Sequence, residues 1–287
     1  MCGIAGLFLK DASLQPRLGA HLAAMLGVLS DRGPDSAGFA VYGAPEPGTR
    51  KLTLRGPAAA FDRLAAALPA GASLHRRGTH AVLRLPEGTR AALPEGLAVV
   101  GEGARMELYK EVGLPSVVAQ TFGLPHIAGS HGIGHTRMAT ESAVTTAGAH
   151  PFSTGPDQCL VHNGSLSNHN SIRRQLAREG QSFATDNDSE VAAGYLTWRM
   201  AQGASLGEAL TAALADLDGF FTFVVGTETG FGVLRDPIAC KPAVMAETDR
   251  YVAFASEYRA LVGLPGIEAA RVWEPEPAKV YFWEGRA

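Results

Sequence analysis

Met1-Cys2-Gly3-Ile4-Ala5-Gly6-Leu7-Phe8-Leu9-Lys10-Asp11 opens the chain. The apolar run from Gly3 to Leu9 stops at Lys10-Asp11 and has no basic stretch before it. It reads as a buried strand, neither a signal peptide nor a membrane span. Cys2 stands at its head. The small second residue permits trimming of Met1, which would leave a thiol and a free α-amino group on one residue. Such an amine has a pKa near ~8. A thiol there carries its own base and needs no separate histidine. The plainer reading is a cysteine that merely follows the start.

Outward from this strand, Leu18, Leu22, Met25, Leu26 and Leu29 recur at helical spacing on one face. Ser30-Asp31-Arg32-Gly33-Pro34-Asp35 breaks the helix, and Ser36 to Tyr42 reads as a second strand. From Ala44 to Pro125 the texture changes. Short β-like runs (Leu52 to Leu54, His80 to Leu83, Leu97 to Val100) surround a helix over Ala58 to Leu68, as expected of an inserted α+β subdomain over 44–125. Strands then return at Ile133 to Met138 and Cys159 to His162. Helices follow at Asn168 to Glu179, Ser189 to Gln202 and Leu206 to Leu217. The last part is β-rich: Phe220 to Val225, Phe231 to Leu234, Ala243 to Ala246, Tyr251 to Ala255 and Val280 to Trp283. Strands at both ends with helices between them favour α+β layers over a doubly wound sheet. No G-x-G-x-x-G follows a strand and no G-x-x-x-x-G-K-[ST] occurs, so nucleotide cradling has no support.

Composition excludes several classes. The 287 residues are 46% hydrophobic and 18% charged, which argues against intrinsic disorder. Lys and Arg number 25 against 28 Asp and Glu, a net charge of -3, so there is no global electrostatic case for nucleic acid or an anionic membrane. Cys2, Cys159 and Cys240 form no C-x-x-C pair, which excludes a zinc ribbon, a thioredoxin motif or a four-cysteine iron–sulfur cluster within this chain. A sparse, odd count also argues against a secreted disulfide framework. The expectation is a cytoplasmic protein.

Five motifs stand in order: Met1-Cys2-Gly3-Ile4, Arg32-Gly33-Pro34-Asp35-Ser36, Gly134-His135-Thr136-Arg137-Met138-Ala139-Thr140, His162-Asn163-Gly164 and Asp186-Asn187-Asp188-Ser189-Glu190. Together, anchored on a cysteine at position 2, they resemble the class II glutamine amidotransferases, whose fold is the N-terminal-nucleophile hydrolase four-layer αββα sandwich. Weaker echoes lie at His150-Pro151-Phe152, Arg235-Asp236-Pro237, Lys241-Pro242 and Ala255-Ser256-Glu257. The resemblance thus runs nearly end to end over 1–287, and 44–125 is its least covered part.

The resemblance implies roles that make chemical sense. Cys2 attacks the side-chain amide carbon of glutamine, giving a thioester and ammonia. Asn163, through its side-chain amide, and Gly164, through its backbone N–H, form the oxyanion hole; such donors are worth a few kcal/mol each, on the order of ~3. The plainer reading of Asn-Gly is a tight turn, which is compatible with presenting donors. Arg137 clasps the α-carboxylate with its guanidinium fork, where a surface ion pair is the alternative. Asp188 accepts the α-ammonium, or serves as the N-cap of a helix starting at Ser189. Thr140 contacts substrate, and Arg32, at the edge of the binding set, steadies the loops around Cys2. Met138 stands where many relatives carry an aromatic residue, and Glu141 where some carry His.

His126, His131, His135, His150 and His162 have no zinc-like spacing, and no metal site is expected. Tyr195 and Trp198, on a helix with Val191, read as core. The basic run His75-Arg76-Arg77 reads as a solvated face or partner contact.

The resemblance implies delivery of ammonia to a synthase. The sequence ends a few residues after Val280 to Trp283, leaving no acceptor domain, so the expectation is a stand-alone amidotransferase subunit beside a separate synthase. Its opening and its Asp31-to-Gly38 run are most similar to glutamate synthase-like amidotransferase subunits, among them that of N-methylglutamate synthase. Flavin and iron–sulfur centres would then belong to the partner, with no cofactor in this chain. Two alternatives stay open: a stand-alone hydrolase of γ-glutamyl amides, and a non-catalytic glutamine-binding subunit. The 44–125 insertion is the expected docking surface.

Overall fold

The computed structural model describes residues 1–139 and 143–285. In chain order its elements are β1 (Gly3–Leu9), α1 (Leu18–Val28), β2 (Ser36–Tyr42), β3 (Thr49–Arg55), α2 (Ala58–Ala66), β4 (Ser73–Arg77), β5 (His80–Pro86), β6 (Ala98–Gly103), β7 (Met106–Val112), α3 (Pro115–Thr121) and β8 (His131–Arg137). Then come β9 (Phe152–Gly155), β10 (Gln158–Leu166), α4 (His169–Arg178), α5 (Asp188–Ala201), α6 (Leu206–Asp216), β11 (Gly219–Gly226), β12 (Gly230–Arg235), β13 (Val244–Glu247), β14 (Tyr251–Ala255), β15 (Arg271–Trp273) and β16 (Val280–Glu284).

β1 is buried along its whole length because it lies mid-sheet, between β14 and β8, in a seven-stranded sheet ordered β15-β13-β14-β1-β8-β2-β7. A five-stranded sheet, β16-β12-β11-β10-β9, packs against it. Strand alternation divides the apolar side chains between layers. Ala5, Leu7 and Leu9 face α1 and α3, where they meet Leu22, Leu26, Val118 and Phe122. Ile4 and Phe8 point the other way, into the core between the sheets, with Ile133, Val161, Val224 and Phe231. On the far side of the second sheet, Leu160, Phe221 and Phe223 pack against Leu176, Val191, Tyr195 and Leu196 of α4 and α5. The result is the four-layer αββα sandwich. Tyr195 is core, as read from the sequence, and Trp198 packs against that core from a partly buried position.

The third sheet, β4-β5-β3-β6, is the body of the insertion. With α2 it closes a small core of Leu52, Leu54, Phe61, Leu64, Ala81, Leu83 and Leu85. This lobe covers about 49–103, less than the expected 44–125. β7 leaves it and pairs with β2, Ser36 opposite Val112, as an edge strand of the main sheet. α3 likewise packs on that sheet, through Val118 and Ala119. Pairing is a long-range choice that local pattern does not reveal. The basic run lies in edge strand β4, where Arg76 pairs with Asp62 at 2.8 Å and Arg77 Nη1 donates to the Phe122 carbonyl at 3.0 Å. Among the described residues no helix is long and apolar enough to cross a membrane.

Candidate active site

The ends of β1, β8 and β10 and the start of α5 converge on one cleft of about 370 Å³. Register brings the first two together: Gly3 stands opposite Thr136 and Ile4 opposite His135, so Cys2 arrives beside Arg137. Cys2, Arg137, Met138, His150, His162, Gly164 and Asp188 all line the cleft.

The backbone of Cys2 is held by two donors on its carbonyl, Arg32 Nε at 3.0 Å and Asn163 Nδ2 at 3.2 Å. Arg32 is itself anchored by Glu257 at 2.5 Å, an ion pair that holds the Glu257 carboxyl below its ordinary range. Neither Arg32 nor Asn163 is among the cleft-lining residues; in this structure both donate to the Cys2 carbonyl. The Cys2 thiol stands 3.8 Å from the Met138 carbonyl. Burial pushes its pKa up, with the chain terminus, Arg137 and Lys241 partly opposing. The Met1 amine lies 3.1 Å from Met138 Sδ, and Met1 is 60% exposed, within reach of a processing enzyme.

Arg137 is 5% exposed, and its Nη1 donates to the Ala143 carbonyl at 3.3 Å. Asp188 lines the same cleft with opposite charge. The expected N-cap role falls instead to Asn187, whose Oδ1 accepts from Ser189 N at 2.9 Å. Asp188 is the first residue of α5, and its carboxylate accepts from Leu166 N at 2.9 Å and from Ser189 Oγ at 3.3 Å. The spacing Asn187-x-x-Glu190 is a capping-box signal that would have put the cap one residue earlier. Glu190 reaches back not to the cap but to the Ala184 and Thr185 amides, each at 2.8 Å.

Gly164 approaches β11 so closely that a Cβ there would lie 2.0 Å from the Phe220 carbonyl oxygen. The Asn-Gly pair lies within strand β10 and so is not a turn. Thr140, expected at the substrate, lies outside the described residues.

Three histidines pack together at the cleft, His150 and His162 in its lining and His135 buried against them. His135 Nε2 donates to the His162 carbonyl at 2.9 Å, fixing the strand just before Asn163. His162 Nδ1 meets Ser189 Oγ at 2.8 Å, and that hydroxyl bridges to Asp188. His150 stacks on His135 with ring centroids 4.0 Å apart. Burial pulls all three below the ordinary histidine range, His135 to about 3, so they are neutral packing and hydrogen-bonding groups at neutral pH. Among the described residues no set of His, Cys, Asp or Glu is arranged to hold a metal ion. Asn187, Ser189 and His150 also line the cleft; the sequence places them in motifs but assigns them no role at the substrate.

The cleft thus holds a thiol, a cation and an anion. A family model described as a glutamine amidotransferase domain matches residues 135–263. The chain belongs to the class II glutamine amidotransferases, enzymes with an N-terminal cysteine nucleophile. It is 61% identical over 298 residues to the glutamine amidotransferase-like protein GlxB of Rhizobium meliloti, covering 99% of this chain and 98% of that protein. A putative glutamine amidotransferase of Methanothermobacter thermautotrophicus is 34% identical over 307 residues, covering 99% of this chain and 100% of that protein. Among solved structures, the glutamine phosphoribosylpyrophosphate amidotransferase of B. subtilis matches with a TM-score of 0.66 at 20% identity, over 99% of this chain and 47% of that one. That match speaks for the fold. The chain spans about half the length of that solved protein.

Proposed function

We propose that this chain is a glutaminase subunit that passes ammonia to a separate synthase subunit, of glutamate synthase or N-methylglutamate synthase type. The flavin and iron–sulfur centres of such a synthase would lie on the partner, and the complex would work in the cytoplasm. The observation that carries the glutaminase reading is the placement of Arg137 and Asp188, opposite in charge, in one cleft with Cys2 and Gly164. A cation and an anion lining one cleft match the two ends of an amino acid.

In this reading Met1 is removed first, because while it remains the Cys2 nitrogen is an amide and no base. The freed α-amine takes the Sγ proton as the thiolate attacks the glutamine amide carbon. Asn163 Nδ2 and the Gly164 N–H then face the developing oxyanion. Collapse breaks the C–N bond, and the proton held by the amine passes to the leaving nitrogen, releasing ammonia. Water cleaves the thioester to glutamate and restores the thiol. Arg32 keeps the Cys2 carbonyl in place throughout, and a substrate contact for Thr140, outside the described residues, rests on the resemblance alone.

The test is intact-mass and peptide mapping after exposure to a glutamine-like diazoketone, with and without competing glutamine. Loss of Met1 and one glutamine-protected adduct on Cys2 are expected. Processed protein that takes no adduct, alone or with a synthase partner, would sink the reading.

A further inference from the structure

Residues 143–151 run from Arg137's acceptor Ala143 to the bond before Phe152, and they carry His150 to the cleft wall. Their path is set from outside the cleft. Lys110 of edge strand β7 is 5% exposed, and its Nζ donates to the carbonyls of Ala147 at 3.1 Å, Ala149 at 2.8 Å and Pro151 at 3.2 Å. The same ammonium lies 4.3 Å from the centroid of the Phe152 ring. Among the described residues, all three hydrogen bonds of this Nζ go to that one short segment. Burial pulls the Lys110 amine down to about 7, and backbone oxygens of 147–151 stand where water would otherwise solvate it.

The next residue holds the segment a second way. The Glu111 carboxylate accepts from Thr146 Oγ1 within the segment and from Thr79 Oγ1 at 2.6 Å. Thr79 lies in the turn between β4 and β5, so one carboxylate joins the small lobe to the cleft wall. A third tie comes from Asn187, whose Nδ2 donates to the Gly148 carbonyl at 3.1 Å beside the start of α5. Asn187 and Asp188 are consecutive, so the segment and the anionic end of the cleft share an anchor.

We propose that Lys110 and Glu111 are positioning residues for substrate: together they clasp 143–151 against β7, and through Thr79 they let the small lobe act on the glutamine cleft. This rests on the glutaminase reading. Lys110 touches no reacting atom, so its loss should spoil the shape of the cleft while leaving the thiol in place.

Hydrogen exchange and glutamine kinetics on the full chain, or on its complex with the synthase, test this together. Lys110→Met keeps the length and removes the charge. It should speed amide exchange within 143–151 and raise KM for glutamine about tenfold, with a smaller change in kcat, as expected when a wall shifts by a fraction of an ångström. Glu111→Gln and Thr146→Val should do the same more weakly, and Thr79→Val more weakly still. These three supply the readout if Lys110→Met does not fold. Exchange in 143–151 and KM both unchanged in folded variants would overturn the clasp. Unchanged exchange and KM in Thr79→Val alone would overturn the link to the lobe. Because exchange is read without substrate, a wild-type protein that turned over no glutamine would refute the glutaminase reading while the clasp was still judged on exchange.

Discussion

The sandwich and the small lobe are built by opposite means. The sandwich joins strands from the two ends of the chain: Ala5 pairs with Ala255 and with Gly134, and those pairings bring Cys2 to Arg137. The lobe is made of consecutive segments between 49 and 103, with β3 pairing to β5 and β6 and β4 to β5. Among the described residues it contributes none to the lining of the Cys2 cleft. Its ties to the sandwich are both polar and apolar: Thr79 to Glu111, Arg77 to the Phe122 carbonyl, Arg84 and Lys51 to Glu107, and the Glu102 carbonyl to Asp157 N at 2.8 Å, with Val82 in the core under α1 and His80 edge-on to Phe122. Chemistry here depends on non-local pairing, whereas the lobe closes on its own small core and packs on the sandwich through Val82 and His80.

The largest break in this comparison should come at Cys2. Cys2→Ala should abolish glutamine-dependent product formation, by a thousandfold or more on the scale of lost nucleophiles (about 10³). It should leave the melting temperature and the ammonia-dependent activity of the partner intact. Retained glutamine use would end the assignment of the nucleophile. Next, Asp188→Asn should lower kcat/KM for glutamine about a hundredfold, roughly 2.8 kcal/mol, since it removes the negative charge facing the α-ammonium. Steady-state kinetics would show it, and a change of under twofold would move the ammonium site elsewhere.

Core truncations sharpen the contrast. Phe231→Ala, between the sheets, and Leu83→Ala, in the lobe, remove side chains that are 0% exposed, and each should cost about 2–5 kcal/mol of local stability. Only the first should slow diazoketone labelling of Cys2 by tenfold or more (about one decade). Equal labelling defects in both would show that lobe and sandwich are one energetic unit.

Acid should act mainly on the sandwich. Burial pulls His131 and His135 down to about 3 and His80, at the junction with the lobe, to about 4. A histidine held neutral in the fold takes up a proton on unfolding once the pH drops below its ordinary 6.5. The stability from each is therefore complete above about 6.5 and is lost as pH falls toward 3–4, at about 1.4 kcal/mol per pH unit for each proton. Melting temperatures at pH 7.5, 6 and 5 should fall progressively, and His135→Asn should flatten the fall if it folds. A flat profile from 7.5 to 5 would contradict the buried neutral state. The smallest effect belongs to the lobe surface. The Arg76–Asp62 pair is exposed on both sides, and removing it should change stability by under about 0.5 kcal/mol.

Legibility followed the range of the interactions. α1, with Leu18, Leu22, Met25 and Leu26 buried on one face, was readable because helical spacing is local. β1 was readable because an uninterrupted apolar run has few other places to go. β7 was taken for part of the insertion because nothing within Met106–Val112 says that β2 is its neighbour. β15, three residues long with Arg271 and Val272 exposed, carries no pattern at all. In the site, Cys2, Arg137, Gly164 and Asp188 were legible through motifs and do share the cleft. The motifs imply an oxyanion donor at Asn163 and a loop support at Arg32; in this structure each donates to the Cys2 carbonyl. Lys110 and Glu111 were invisible, since a lysine and a glutamate in an ordinary strand look like surface residues until a loop closes over them.

By itself the sequence determined the layered α+β character, the helix faces, the placement of a thiol at the head of a buried strand and the motif set that marks the family. Each rests on periodicity or on chemistry carried within a few residues. Tertiary structure alone decided the order of strands, the boundary of the lobe, the Asn187 cap that releases Asp188 to the cleft, and the clasp on 143–151. Those depend on contacts between residues far apart in the chain, whose closure is favourable only when both sheets and their helices pack at once.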